Sequence, residues 1–127
     1  MSARTDQLLS ELRAFGLDFP GAHIKSPWPD HEDLAVNDKT FAYLPPVGRP
    51  FSLSCKLPYT GEVALDLPFA EPTGYGLGRS GWVSFNPSEE QLPDTGQLKE
   101  WIEESYRAQA PRRLVKALDG AARASDG

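Results

Sequence analysis

The sequence predicts an α+β domain in which a mostly antiparallel sheet carries helices on one face. Segments with the apolar spacing of helices lie near both ends of the chain, and short runs that alternate apolar and polar residues lie between them. Strands grouped between terminal helices are typical of this class. The length of 127 residues suits a single domain. We place that domain at residues 1–120 and expect residues 121–127 to form a disordered tail.

An amphipathic helix is expected near the N-terminus. Leucines and a phenylalanine recur at helical spacing from Leu8 to Phe15, Thr5 is a suitable N-cap, and Gly16 is a suitable end. The Phe19-Pro20-Gly21 turn follows. Residues 22–26 then predict a short strand, which the next prolines stop.

A hairpin and a further strand are expected next. Asn37-Asp38 tolerates the positive φ that a two-residue hairpin turn requires, and β-forming residues 34–36 and 39–44 flank it. Apolar and polar residues alternate from Phe51 to Leu57, so one face of that strand is buried and Cys55 is predicted to be a core residue. Residues 62–67 fit a strand or a helical turn, and their periodicity leaves both open.

Two helices are expected in the last third of the chain. Asp94 or Thr95 can cap the first, whose apolar face comprises Leu98, Trp101, Ile102 and Tyr106. Pro111 suits the first position of the second helix, and Gly120 is expected to end it.

Composition excludes several classes of protein. The formal net charge of −5 repels polyanions, so a nucleic-acid contact requires a local basic patch. The single cysteine forms no internal disulfide and fits a reducing compartment. We find neither the apolar core of a signal peptide nor a run long enough to span a bilayer, so we expect a cytoplasmic protein without membrane association.

The stretch from Lys25 to Asp33 concentrates His31, three carboxylates and Trp28. A histidine beside carboxylates can transfer protons or bind metal. We interpret the stretch as a solvated acidic turn, because neighbouring residues of an extended segment point to opposite faces and few ligands converge. We predict no metal, no cofactor and no catalytic residue, and expect a protein that is not an enzyme. A small-molecule pocket lined by Trp28, His31, Tyr75 and Trp82 is an alternative.

The glycines between Thr73 and Pro87 match the spacing of a nucleotide-binding motif but not its structural context. Gly76, Gly78 and Gly81 have the spacing G-x-G-x-x-G, but a dinucleotide site requires a helix that begins at these glycines. The aromatic and β-branched run that follows, residues 82–85, predicts a strand instead. We interpret the glycines as a tight turn that precedes this strand.

The cations that could contact a nucleic acid fall in three places. They are Lys39 at the hairpin, Arg79 beside Trp82 at the glycine turn, and Arg107, Arg112, Arg113 and Lys116 near the C-terminus. Cations on loops contact phosphates, and an exposed tryptophan stacks on bases. A solvated helix face for the C-terminal cations and a core position for Trp82 are the alternatives.

Three stretches together resemble the MmcQ/YjbR family of small bacterial proteins. They are FPGAHIKSPWPDHEDLAVNDKTFAYL at residues 19–44, GYGLGRSGWVSF at residues 74–85, and WIEESYRAQAPRRLVKAL at residues 101–118. The resemblance extends from about Leu8 to Leu118. It includes the Gly81-Trp82 pair and the Ser105-Tyr106 pair.

This resemblance implies a fold and an activity. The fold is a two-layer α+β arrangement, roughly helix, three strands, helix, two strands, helix, with a helix at residues 59–67, similar to type III secretion chaperones and CyaY-like proteins. The activity is DNA binding through two β-hairpins that act as wings, on which Lys39 and Arg79 occupy the matching positions. Together with the local basic patch near the C-terminus, it leads us to expect weak, sequence-nonspecific binding. The alternative is a protein or peptide interaction module whose partner is another protein or a second copy of the chain.

Overall fold

The computed structural model describes residues 3–26, 28–74 and 76–126, with the backbone alone for residues 121–126. Within these ranges the chain forms, in order, α1 (Ala3–Leu17), β1 (Ala22–Lys25), β2 (Asp33–Val36), β3 (Lys39–Ala42), β4 (Leu53–Lys56), α2 (Gly61–Ala64), β5 (Ala70–Pro72), β6 (Trp82–Phe85), α3 (Thr95–Gln109) and α4 (Arg112–Asp126). Two short 3-10 helices lie at Leu77–Ser80 and Glu89–Gln91.

The strands form two antiparallel three-stranded sheets, ordered β1-β2-β3 and β4-β6-β5. A bridge between Tyr43 and Ser54 joins them. In this bridge each residue's N–H donates to the other's carbonyl oxygen, at 3.0 and 3.2 Å. The six strands therefore follow one another as β1-β2-β3-β4-β6-β5, with every neighbouring pair antiparallel.

The predicted hairpin and the predicted alternating strand are both confirmed. Asn37 and Asp38 have φ values of 50° and 63°, the left-handed conformation that a two-residue turn requires. In β4, Leu53 and Cys55 are buried, while the residues between and after them are partly exposed. Cys55 is a core residue, as expected.

The helices cover one face of the sheets, which confirms the predicted fold class. Helix α3 contacts β3 and β4, and α1 contacts α3, β1 and β2. Phe85 of β6 stacks on Trp101 of α3 with ring centroids 4.1 Å apart. Leu9 and Leu12 of α1 are fully buried in the same core. Removal of this apolar surface from water is the main force that holds helices and sheets together.

Several residues that carry the family resemblance have structural roles. Phe19 stacks on Tyr106 with ring centroids 4.6 Å apart, and the Tyr106 hydroxyl donates to the Pro20 carbonyl oxygen at 2.7 Å. The neighbouring Ser105 hydroxyl oxygen accepts from the Lys56 N–H at 2.8 Å. The Ser105-Tyr106 pair thus fixes α3 to the Phe19-Pro20-Gly21 turn on one side and to β4 on the other.

Two expected features of the helices are wrong in detail. Helix α1 begins at Ala3, so Thr5 lies inside it and not at the N-cap position. Thr5 is buried, and its hydroxyl donates to Glu89 at 3.3 Å. The last helix passes through Gly120 and continues to Asp126, since a glycine inside a helix costs only about 1 kcal/mol. Gly127 lies outside the described residues, and the disorder of the tail stays a prediction.

The element order also differs from the arrangement that the resemblance implies. Four strands precede α2 instead of three, since β4 forms between the β2–β3 hairpin and α2, and a fourth helix follows α3. The ambiguous segment at residues 62–67 does form a helical turn, but α2 contains only Gly61–Ala64. Pro27, which was expected to end the first strand, lies outside the described residues, and β1 ends at Lys25.

Candidate nucleic-acid interface

The topology brings the turns of two hairpins to one end of the sheets. Because neighbouring strands are antiparallel, the β2–β3 turn, the C-terminus of β4 and the β5–β6 connection lie at the same end, which we call the wing end. Lys39 begins β3, Lys56 ends β4, and Arg79 lies in the 3-10 turn before β6. Three cations far apart in sequence therefore share this end.

Helix α4 begins beside the same end. The Leu114 side chain packs against Gly21, which precedes β1, close to the side chain of Val36 at the end of β2. At the end of α3, the Gln109 amide donates to the Thr40 carbonyl oxygen at 3.0 Å. These contacts hold the first turns of α4 near the β2–β3 hairpin.

The cations at the wing end are available to an external anion. Lys39, Arg79, Arg112, Arg113 and Lys116 are exposed, and Lys56 is partly exposed. None of the six forms an ion pair with a carboxylate whose position the structure describes. Sequence reasoning missed Lys56 as part of this group, because only the order of the strands shows that β4 ends beside the two hairpins.

Arg107 is not available in the same way. Its guanidinium lies 3.0 Å from Asp119 and 3.1 Å from Glu103. The hydrogen bond to Asp119, followed by that to Glu103, raises the pKa of Arg107 above its usual value. This arginine ties α3 to α4 and has its charge compensated.

Trp82, expected beside Arg79 as a stacking residue, is only 5% exposed. It begins β6 and packs against Tyr43 with ring centroids 5.3 Å apart. A base could not stack on this indole without displacing its neighbours. Trp82 therefore occupies a core position, which was the alternative to a stacking role.

The glycines of the G-x-G-x-x-G stretch shape the second hairpin. Gly76 and Gly81 have φ values of 80° and 89° and flank the 3-10 turn Leu77–Ser80, and φ values in this range favour glycine because it has no Cβ. A strand, β6, follows the last glycine. The arrangement exposes Arg79 at the tip of the hairpin and lacks the helix that a dinucleotide site requires.

The acidic stretch lies at the opposite end of the sheet, where β1 ends and β2 begins. The interpretation of this stretch as a solvated turn is wrong for Asp33, which is 0% exposed. Its carboxylate accepts the Leu44 N–H at 2.9 Å and lies 3.2 Å from His31 Nδ1. Burial raises the pKa of Asp33, against the opposing effects of the Leu44 N–H, His31 and Arg13.

Arg13 completes this buried polar group. Its side chain donates to the carbonyl oxygens of Glu32 and Pro45, and its Nε lies 3.7 Å from the Glu32 carboxylate. The sequence signal that could have identified Asp33 as buried is its position directly before the apolar run Leu34-Ala35-Val36. Among the described residues, no group of three or more His, Cys, Asp or Glu is arranged to hold a metal ion.

The residues of the alternative small-molecule pocket are only partly brought together. Trp28 and His31 line one open cleft. Trp82 is buried beside Tyr43, and Tyr75 lies outside the described residues. Within the residues that the structure describes, no helix combines the length and the apolar character needed to cross a membrane.

Comparisons with known proteins support the fold and identify a family. The chain matches the YjbR family model over residues 17–108. Protein DR2400 of Deinococcus radiodurans, which carries the domain DUF419, superposes with a TM-score of 0.65 at 23% identity, over 80% of this chain and 78% of that one. A protein from Pseudomonas syringae superposes with a TM-score of 0.58 at 17% identity, over 86% of this chain and 99% of that one.

At these identities the two solved structures show a shared fold alone. No curated protein matches the chain. The family model covers well over half of the 127 residues, including both hairpins and most of α3. The chain therefore belongs to the YjbR family.

Proposed function

We propose that this protein binds DNA weakly and without sequence preference through the wing end. The observation that carries the proposal is the convergence of Lys39, Lys56 and Arg79 at the end of the sheet where α4 begins. Cations that act on phosphates supply affinity but carry no sequence information. The surface is therefore suited to the backbone of a duplex and not to reading base edges.

The distribution of charge explains how a chain of net charge −5 can act in this way. The acidic stretch of Asp30, Glu32 and Asp33 is at the opposite end of the β1–β2 pair from the wing end. At the wing end, Asp38 is paired with Lys25, whose Nζ lies 3.5 Å from the Asp38 carboxylate, and the Glu104 carboxylate accepts the Tyr59 and Thr60 N–H groups at 2.9 and 3.1 Å. A local positive field can thus exist on an acidic protein. A cytoplasmic location in a bacterium, which gives access to DNA, is part of the proposal.

Salt dependence of duplex binding tests the proposal. Fluorescence anisotropy with a labelled duplex at about 50 and about 200 mM salt should show binding that weakens steeply as salt rises. Contact by all six cations would give a slope of log K on log salt of about −5, and removal of Arg112 and Arg113 together would reduce its magnitude by about 2.

A matched control uses a cation at the other end of the sheet. Arg49 is exposed and lies in the connection between the end of β3 and the start of β4, away from the wing end. Arg79→Ala should reduce the slope by about 1, whereas Arg49→Ala should leave it unchanged. Equal effects of the two substitutions, or no binding at the lower salt concentration, would refute contact through the wing end.

The alternative, a protein or peptide interaction module, is favoured by the edge strand β1. Among the described strands β1 pairs only with β2, and its Ile24 is 39% exposed. An unpaired edge can accept a strand from another chain. A dimer in solution that dissociates on Ile24→Lys substitution is the expected result for this function, and a monomer at all concentrations would argue against self-association.

A further inference from the structure

An open cleft at the end of the sheet opposite the wing end places an exposed tryptophan beside a histidine. It has a volume of about 440 Å³ and is lined by Ser26, Trp28, Pro29, His31 and Glu32. The Trp28 indole is 59% exposed and contacts the His31 ring edge to face, with centroids 5.2 Å apart. An exposed tryptophan beside a half-buried imidazole offers an apolar plane next to a polar edge.

The His31 ring is held in place by Asp33 and Tyr43. Its Nδ1 lies 3.2 and 3.3 Å from the two carboxylate oxygens of Asp33, which is itself 0% exposed and fixed by the Leu44 N–H. Tyr43 packs against another side of the ring, with centroids 6.3 Å apart. An ionised carboxylate only accepts hydrogen bonds, so Nδ1 carries the donated proton and Nε2 is the ring nitrogen left for another partner.

The charges around the cleft narrow the class of ligand. Glu32, whose side chain is 46% exposed, and the buried Asp33 supply two acidic groups against the single guanidinium of Arg13, 3.7 Å from the Glu32 carboxylate, so a phosphate group is disfavoured there. The Glu32 carboxylate accepts hydrogen bonds, and the Ser26 hydroxyl can donate or accept. A complementary ligand therefore presents at least one N–H donor, beside a ring nitrogen that can pair with His31 Nε2, at the edge of a flat ring.

We propose that this cleft binds an amino-bearing heteroaromatic base, stacked on Trp28 and hydrogen-bonded at its edge by His31 and Glu32. The site is separate from the phosphate contacts proposed at the wing end, and neither depends on the other. The base belongs either to a free nucleoside-like metabolite or to an unpaired nucleotide of a single strand, since both present the same ring chemistry.

Nucleoside titrations test the proposal directly. Trp82 and Trp101 are each only 5% exposed, so quenching of tryptophan fluorescence by a bound base reports mainly on Trp28. We expect saturable quenching by the amino-bearing nucleosides adenosine, cytidine and guanosine, and weaker binding of inosine and uridine, which keep a ring N–H but lack the exocyclic amino group. Equal binding of inosine and adenosine would overturn the assignment of the amino group to the acceptors.

Calorimetric titration of adenosine into variants tests the residues. Trp28→Ala should weaken binding about tenfold or more, because stacking of a base on an aromatic ring contributes at this level. His31→Gln should weaken it less. Tyr59→Ala is the matched control, because Tyr59 is an 87% exposed aromatic outside the cleft, and it should have no effect. Melting temperature checks that each variant remains folded.

A labelled single-stranded oligonucleotide of adenines distinguishes the two sources of the base. If the ligand is a strand, Trp28→Ala weakens oligonucleotide binding; if it is a free metabolite, Trp28→Ala affects adenosine alone. Absence of saturable binding of both adenosine and cytidine at millimolar concentration, with oligonucleotide binding unchanged by Trp28→Ala, would overturn the proposal. Duplex binding through the wing end is measured separately and is expected to survive Trp28→Ala.

Discussion

Replacement of the buried Asp33 by alanine and by asparagine should have very different effects on stability. Asp33 is 0% exposed and accepts the Leu44 N–H at 2.9 Å, while its other contacts are with His31. Asp33→Ala removes the oxygen that accepts the Leu44 N–H. It also removes the negative charge that acts on Arg13. Loss of a partner in a buried polar group costs about 2–4 kcal/mol. Asp33→Asn keeps an oxygen for the Leu44 N–H, so its cost should be within about 1 kcal/mol.

Thermal and urea unfolding measure this difference. For 127 residues the unfolding entropy is about 0.27 kcal/mol/K, so Asp33→Ala should lower Tm by about 8–15 °C and Asp33→Asn by less than about 4 °C. Equal losses for the two variants would show that the negative charge, and not the acceptor oxygen, stabilises the fold. A loss below about 1 kcal/mol for alanine would refute the structural role of Asp33 altogether.

The pH dependence of the same pair tests the environment of the carboxylate. Burial raises the pKa of Asp33 in the folded state, so between the unfolded and folded values the native state binds more protons than the unfolded state. The contribution of Asp33 to stability is therefore greatest below its ordinary pKa of about 4 and falls as pH rises through the folded value.

The difference in unfolding free energy between the wild type and Asp33→Asn isolates this effect. The two proteins keep Arg13, Glu32, His31 and Tyr43 around position 33 and differ only in the carboxylate, so the difference reports on that carboxylate and its interactions with these groups. Relative to Asp33→Asn, the wild type should lose stability as pH rises from about 4 towards 7. A wild type that gains stability over this range would mean that pairing with His31 and Arg13 outweighs burial.

Three further predictions concern the core and the second hairpin. Tyr106→Phe removes the hydroxyl that donates to Pro20 and should cost about 1 kcal/mol, or about 4 °C in Tm, while retaining the ring stack with Phe19; an unchanged Tm would show that this bond is dispensable. Burial strongly raises the pKa of the Cys55 thiol, so a thiol reagent should label the protein only at the rate of unfolding. Rapid labelling under native conditions would contradict the burial of Cys55. Gly81→Ala, at a φ of 89°, should destabilise the protein by about 1–2 kcal/mol in urea unfolding, whereas a neutral effect would mean that the turn adopts another conformation.

Local features of the fold could be predicted from the sequence because their signals are local. The Asn37-Asp38 turn, the alternation that buries Cys55 and the apolar face of α3 each follow from neighbouring residues alone. Helix limits were less accurate. Thr5 has the chemistry of a cap but is buried against Glu89, and Gly120 has the chemistry of a helix end but is inside α4.

The candidate interface could be predicted only in part. The sequence identified most of its cations, and the family resemblance assigned Lys39 and Arg79 to the two hairpins. Neither the sequence nor the resemblance could indicate that Trp82 packs against Tyr43 or that Arg107 pairs with Asp119, because these contacts join residues distant in the chain. The same holds for Asp33, which was expected in a solvated turn and which is buried beside His31.

The sequence by itself determined the class of the fold, the family and the kinds of side chain available to a polyanion. Periodicity and turn chemistry depend on only a few neighbouring residues, so they can be recognised in the sequence without a structure. The tertiary structure decided which of these side chains act together, because the strand order β1-β2-β3-β4-β6-β5 determines which ends of the strands meet. That order brings Lys39, Lys56 and Arg79 to one end of the sheet and leaves Trp28 and His31 at the other.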